Sequence, residues 1–368
     1  MAKSYFFTMK QIHMVMCFIC TNISTYSVLY LKILNTFIDS IMRKILTLSL
    51  LFICTSYAGA DLLFKNGFEK IVTRVALSQE IAGVTHVGWL DIDTNQWFDM
   101  TDYFDTTYGA TGIDDWVSIS SDLNYYLLET ERPMVFQGWD GLTWGAFDEN
   151  GIPSEPMVVD GAPHPEGFCT ISAGGTHIAM ILRDESDRSD IWIVNRIGDV
   201  WQRDDEVNIS SSSAGNNGGP QFSPTNNKVI WTSYTKDGMD FDENSLDGSN
   251  FNQLLSHTRL GPSAKMIRPA YENSGTIVFE GELDGEQCYR WDPAIPEVDP
   301  VIIASAYSND NSCTALVDGR IASFWLERPD GPSVHELRVM KADGTHQAVL
   351  QMEIDFWDFL ITGGSKTE

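Results

Sequence analysis

The sequence predicts an all-β fold: a six-bladed β-propeller of four-stranded antiparallel blades, its ring closed by the C-terminal strand. Three observations predict it. One short pattern recurs about every 50 residues. Each copy reads as paired short strands around Asn, Gly or Asp turns. No helical period competes between residues 85 and 352, where Gly and Pro recur too often for long helices.

The clearest copy runs from Gly219 to Ser233 and contains Phe222-Ser223-Pro224. Weaker copies lie at Trp116–Leu128, Cys169–Met180, Pro269–Phe279 and Cys313–Phe324. Anchoring on Ile119, Ile171, Phe222, Tyr271 and Ala315 gives spacings of 52, 51, 49 and 44 residues. Apolar runs interrupted by Gly and Asn read as hairpins, because both residues tolerate positive φ. A second half follows in each unit, as in Asp190–Asn195 and Glu336–Lys341, and Asp247-Gly248 and Asp343-Gly344 turn a third strand into a fourth. Near the start, Val87 to Phe98 has this second-half form without a clear first half. One half unit and five full units make six blades of four strands. An irregular β-sandwich also has short strands and turns, but it does not need in-phase repetition.

The Phe222-Ser223-Pro224 unit, followed by Asp247-Gly248-Ser249-Asn250, resembles the WD40-like repeat of TolB-like β-propellers. Glu336 to Thr345 resembles the second half of that repeat. The likeness spans most of residues 85–352 and implies six blades. The Pro of Ser223-Pro224 becomes Ser121, Ala173, Asn273 and Val317 in the other units. A ring must close or leave two exposed sheet edges, and the alternating stretch Ile354–Ile361 is expected to add the inner strand to the blade near Val87. Full TolB proteins carry an α/β domain before the propeller. Only residues 61–84 stand between the expected mature start and the first blade, which points away from a Tol-type envelope role.

The expected organisation is an upstream extension (1–41), a signal peptide (42–60), a lead-in (61–84), the propeller (85–363) and a tail (364–368). Met42-Arg43-Lys44, the apolar run Ile45–Ile53 and Ala58-Gly59-Ala60 form the basic, apolar and small-residue parts of a secretory leader, cleaved between Ala60 and Asp61. The apolar run is shorter than the ~20 residues of a membrane span. Asp61 to Glu69 resembles a segment found just after the leader in exported proteins of Gram-negative bacteria. The chain is expected in the periplasm or outside the cell, as a monomer.

The whole chain carries 24 basic and 51 acidic residues. The first 60 residues hold five of the basic and one of the acidic, so 19 and 50 remain, a net −31. That field repels phosphate backbones and anionic lipid, so neither nucleic acid nor a membrane surface is an expected partner. Cys169, Cys288 and Cys313 remain after cleavage. Cys169 and Cys313 hold the same repeat position on opposite sides of a six-fold ring. Cys288 and Cys313 sit in neighbouring blades and are the one pair that a disulfide suits, the alternative being small buried residues.

Asp237, Asp240, Asp242 and Asn244 form the densest acidic stretch, a candidate calcium loop, although Ser245 stands where an EF-hand places Gly and Asp240-Phe241-Asp242 aligns with the third-strand start of the other units. No Gly-x-Ser-x-Gly elbow or His-Glu-x-x-His motif is present, and His86, His164, His177, His257, His335 and His346 are scattered. Trp139 and Trp144 beside Gly138 and Gly141 suit either a sugar-stacking surface or packing between blades, and packing is the favoured reading, as for Trp192, Trp231, Trp291 and Trp325. The residues support a non-catalytic module without a cofactor, recognising a protein or glycan at one channel mouth. The alternatives are a lyase or glycoside hydrolase on the same frame and a TolB-like envelope partner.

Overall fold

The computed structural model describes residues 71–109, 111–132, 141–159, 168–183, 186–260, 265–282, 286–303, 310–327, 334–341, 348–352 and 362–367. Its strands form six four-stranded antiparallel sheets. Blade 1 joins β1 (Ile71–Ile81), β2 (Val84–Asp91) and β3 (Gln96–Asp99) to the C-terminal β24 (Thr362–Thr367). Blade 2 holds β4 (Asp114–Ile119), β5 (Tyr125–Thr130), β6 (Gly141–Ala146) and β7 (Met157–Val158). Blade 3 holds β8 (Thr170–Ile171), β9 (His177–Arg183), β10 (Ser189–Ile197) and β11 (Val200–Asn208). Blade 4 runs through β12 (Asn216–Phe222), β13 (Lys228–Thr235), β14 (Gly238–Ser245) and β15 (Asn252–Leu255). Blade 5 comprises β16 (Lys265–Tyr271), β17 (Ile277–Glu282), β18 (Glu286–Trp291) and β19 (Val301–Ile302). Blade 6 comprises β20 (Asp310–Ala315), β21 (Arg320–Glu327), β22 (Val334–Lys341) and β23 (Ala348–Met352).

The apolar core is divided into six clusters, one in each seam between neighbouring blades. Val75, Leu77 and Leu90 of blade 1 pack on Leu316, Leu337 and Val339 of blade 6. Ile230 and Phe241 of blade 4 meet Met266, Phe279 and Tyr289 of blade 5. Middle strands are therefore buried on both faces, and β1 reads as a continuous buried run from Val72 to Ser78 rather than an alternating one. The tryptophans sit in these seams: Trp231, Trp291 and Trp144 are buried and Trp192 is half-buried. Trp144 is therefore no stacking surface. Trp139 and the Trp325 side chain lie outside the described residues.

Two boundaries differ from the sequence reading. Residues 71–81, expected in the lead-in, form the strand next to β24, so Val87-Gly88-Trp89 lies in the third strand of a complete blade. The inner strand of that blade lies at the other end of the chain, so no local repeat half marks its start. The closing strand is Thr362–Thr367, which takes in most of the expected tail, while Ile354–Ile361 lies outside the described residues. The expected leader and its Ala60–Asp61 cleavage site, with residues 1–41, also lie outside them.

One helix is marked in the sequence only by its two cap residues, Asp99 and Gly109. Helix α1 (Met100–Tyr108) links blade 1 to blade 2. The Asp99 side chain accepts from the Asp102 N–H at its start, and Gly109 ends it in the left-handed region at φ 70°. Phe104 buries its inner face among Val117, Tyr126 and Leu128. Beneath it, Arg132 is buried between Asp114 and Asp105, at 2.6 Å from each.

Candidate functional site

The repeat pattern acquires a physical meaning in the turns between first and second strands. In blades 2, 3 and 4 a serine begins the turn: Ser120, Ser172 and Ser223. Its N–H donates to the carbonyl five residues on, at Tyr125, His177 and Lys228. Its hydroxyl then accepts the N–H of those same residues, at 3.0, 2.9 and 3.2 Å. In blades 5 and 6 the turn is one residue shorter, closing from Glu272 to Thr276 and from Leu316 to Arg320. The residue three positions into every turn has positive φ: Leu123, Gly175, Asn226, Gly275 and Gly319. Gly275 and Gly319, at φ 87° and 86°, occupy a conformation that other residues rarely enter. Leu123 enters it because burial in the seam between blades 1 and 2 holds it there.

These turns surround one mouth of the central channel. A cavity of about 230 Å³ is lined by residues from all six innermost strands. Three positions of the repeat supply most of the wall. The anchor is Ile119, Ile171, Phe222, Tyr271 and Ala315, preceded by Ser118, Thr170, Gln221, Ala270 and Thr314. Ser121, Pro224, Asn273 and Val317 form the rim, and β24 adds Gly363 and Ser365. The rim is the position at which the repeat loses its proline. The retained serine builds the turn, and the residue after it faces the channel.

Hydrogen bonds join neighbouring blades around this mouth. The Ser365 N–H donates to the Ser121 carbonyl at 3.0 Å. The Gly174 N–H donates to the Asp122 carboxylate at 2.8 Å. The Asn226 amide exchanges two bonds with the Ala173 backbone. The Tyr271 hydroxyl donates to Glu243 at 2.6 Å, the Asn273 amide to the Val317 carbonyl, and the Thr73 hydroxyl to Asp318 at 2.7 Å. Burial and the Glu243 carboxylate together push the Tyr271 phenol far up, so it stays a donor.

Inside this frame two wall hydroxyls stand apart. Ser118 Oγ and Thr170 Oγ1, on neighbouring blades, are buried and have no hydrogen-bond partner among the described residues. The described cavity wall holds no His, Lys or Arg, and its one carboxylate, Asp122, is engaged by Ser120, Asn124 and Gly174.

The other sequence candidates lie elsewhere. Asp240, Asp242 and Asn244 are not in a loop: they alternate along β14 on one buried face, and Asp237 lies in the turn before it. Asp240 accepts from the His257 backbone and imidazole at 2.8 and 2.7 Å and from Gln253 at 2.9 Å. Asp242 accepts from Ser213 at 2.7 Å, and the Asn244 amide donates to the Ile209 carbonyl at 2.8 Å. These side chains serve the protein's own donors and acceptors instead of converging on one point. Burial raises the Asp242 carboxyl to about 6, with Asp240 adding to it and Ser213 and Ser233 opposing. His177 opens β9 beside the Thr176 hydroxyl at 2.8 Å, and burial lowers its pKa. Cys288 and Cys313 are disulfide-bonded with Cα atoms 5.8 Å apart, and Cys169 is buried outside that bond, in the seam between blades 2 and 3.

No family model and no curated protein matches the sequence. Among solved structures, a putative TolB from Agrobacterium tumefaciens aligns with a TM-score of 0.53 and 15% identity, covering 80% of this chain and 99% of that one. A chain of a nidogen–laminin complex aligns at 0.52 with 12% identity, over 79% and 98% of the two chains. A puromycin-hydrolysing peptidase from Mycobacterium tuberculosis aligns at 0.50 with 12% identity, over 76% of this chain and 45% of that one. Identities this low speak for architecture and leave activity to the site itself. The chain has the TolB-like six-bladed β-propeller fold.

Proposed function

We propose that this chain is an exported, non-catalytic binding module that recognises a protein or glycan at the channel mouth formed by the first-to-second-strand turns. The unpartnered, buried hydroxyls of Ser118 and Thr170 carry the reading. A buried hydroxyl without a partner costs stability, and a ligand that hydrogen-bonds both removes that cost. The rest of the wall, with Gln221, Thr314 and Asn273 beside Phe222 and Tyr271, suits an uncharged hydrogen-bonding group. Acid–base or nucleophilic catalysis needs titratable groups converging on one point, and this wall offers a single engaged carboxylate. The leader-like residues 42–60 and the Cys288–Cys313 bond support an oxidising compartment.

The test compares the chain from Asp61 with its Ser118→Ala/Thr170→Val variant on a glycan array and in capture from envelope extract. The variant is expected to fold with equal or greater stability, because the deleted hydroxyls bond to nothing in the protein. It is also expected to lose the ligand that the natural chain retains. Equal retention by both proteins would overturn the channel reading, and turnover of a polysaccharide would overturn the non-catalytic one.

A further inference from the structure

Arg196 lies near the end of β10, on the same side of the propeller as the channel mouth. Its N–H donates to the Thr176 carbonyl in the blade 3 turn, and it faces Trp201 across the hairpin. Its guanidinium carbon sits 4.6 Å from the centre of the Trp144 ring, 4.8 Å from Tyr125 and 5.8 Å from Trp201. Two of these rings come from blade 2 and one from blade 3. Trp144 and Trp201 are buried edge to face, 5.7 Å apart, so they form a fixed wall. Gly175 leaves room for the Tyr125 ring, which a β-carbon there would meet at 2.7 Å.

Among the described residues the guanidinium of Arg196 makes no hydrogen bond and no ion pair, which sets it against most described arginines of this acidic chain. Arg132, Arg188, Arg259, Arg268, Arg290 and Arg320 each hold a carboxylate. A second donor nearby is also without an acceptor: the indole N–H of Trp201 is buried and unpartnered. Rings cover a guanidinium by its faces, and its N–H groups point outward in its plane. Arg196 is half-buried, so those edges reach solvent. A fixed, planar fork of donors without an acceptor matches a carboxylate in the two-point geometry that arginine favours. The net charge of −27 repels polyanions at long range, whereas a single carboxylate is little affected.

We propose that Arg196, clamped by Tyr125, Trp144 and Trp201, anchors the carboxylate of a small monoanionic ligand in the seam between blades 2 and 3. The carboxylate belongs to a sugar acid or to a peptide terminus, and both present the same group to the guanidinium. The site is separate from the channel wall, so either can fail while the other stands.

Tryptophan fluorescence of the full chain provides the test, with D-glucuronate and N-acetyl-L-alanine as probes. D-glucose and N-acetyl-L-alanine amide are their uncharged counterparts. The expected result is a saturable change with at least one acid and none with the neutral compounds, and the tighter acid identifies the source. Arg196→Gln is expected to weaken that binding about tenfold or more, and Arg196→Lys to recover only part of it, since an ammonium lacks the planar fork. Trp201→Phe, which keeps a ring and removes the N–H, is expected to weaken it less. Thermal unfolding confirms that each variant folds. Absence of saturation by about 50 mM of either acid, beyond the millimolar range that one anchored carboxylate needs, would overturn the proposal. So would equal affinity in a folded Arg196→Gln variant, or tighter binding of a polyuronate than of the single sugar acid.

Discussion

The seams between blades 3 and 4 and between blades 5 and 6 each hold an apolar cluster, but different ties cross them. The first adds a network of buried polar side chains. The Asn217 amide donates to the Ser189 and Gly215 carbonyls and to Asp190, and its oxygen accepts from the Trp231 indole at 2.9 Å. Asp190 also accepts from Ser210 and Asn208, and Ser213 joins Ser233 to Asp242. The second seam is apolar and covalent, with Val278, Ile303, Ile321 and Met340 around the Cys288–Cys313 bond. A covalent seam holds regardless of pH, whereas a polar seam holds only while every member keeps its partner and charge state. Three substitutions probe these two seams, and a fourth, between blades 4 and 5, probes polar contact by itself.

The largest effect is expected in the covalent seam. The cysteines are 25 residues apart, and cross-linking a loop of that length stabilises by about 3 kcal/mol through the unfolded chain. Cys288→Ala/Cys313→Ala is expected to lose about that much in urea unfolding and to make the natural chain's response to reductant disappear. A variant as stable as the natural chain would show that apolar packing alone holds this seam.

Next is Asn217→Ala. It leaves the buried Trp231 N–H without an acceptor and removes a donor from Asp190, and an unsatisfied buried group costs about 1–3 kcal/mol. The expected loss is about 2 kcal/mol. A second substitution, Trp231→Phe, is expected to restore part of it by deleting the stranded donor. Additive losses would mean that the network is not coupled.

The third point is pH. The folded Asp242 carboxyl titrates at about 6, above its ordinary 3.8. One of its oxygens is buried without a donor. The folded state therefore holds this proton more tightly than the unfolded chain does. The resulting stabilisation is complete below about pH 4 and is lost as pH rises through 6, and at 1.36 kcal/mol per pKa unit it amounts to no more than about 3 kcal/mol. Asp242→Asn is expected to remove this contribution, so the natural chain should gain on the variant between pH 7 and pH 4.5. Parallel stability profiles over that range would place the charge elsewhere.

The two seams also differ in how much of them the sequence discloses. The in-phase repeat places Cys288 and Cys313 in adjacent blades, because register along a propeller is regular and cysteine is a distinctive letter. In the polar seam the sequence offers Asp240, Asp242 and Asn244 both as a calcium loop and as a third strand, and the strand is what forms. Alternation along a strand puts Asp240, Asp242 and Asn244 on one face, yet their partners Ser213, Ile209, Gln253 and His257 come from connections and edges that no repeat marks. The same limit hides β1, whose neighbour β24 is almost 300 residues away, and α1, whose signals are the single cap residues Asp99 and Gly109. The channel wall is half legible. Ser120, Ser172 and Ser223 are visible because turn chemistry demands them, while Ser118 and Thr170 become distinctive only once burial shows them without partners.

The smallest effect tests whether polar contact by itself matters. Arg259, which follows the last strand of blade 4, reaches Asp299 ahead of the last strand of blade 5 at 3.1 Å, on the outer surface. Asp299 is largely exposed, so water and salt screen the pair, and the two side chains give up rotamer freedom to form it. Arg259→Ala is expected to change stability by no more than about 0.5 kcal/mol, less still in high salt. Asn217 and Arg259 both bond across a seam, yet the expected costs differ several-fold, because removing Asn217 strands partners that water cannot reach whereas removing Arg259 returns Asp299 to solvent. An Arg259→Ala loss as large as that of Asn217→Ala would mean that the number of bonds across a seam, and not their burial, sets its strength.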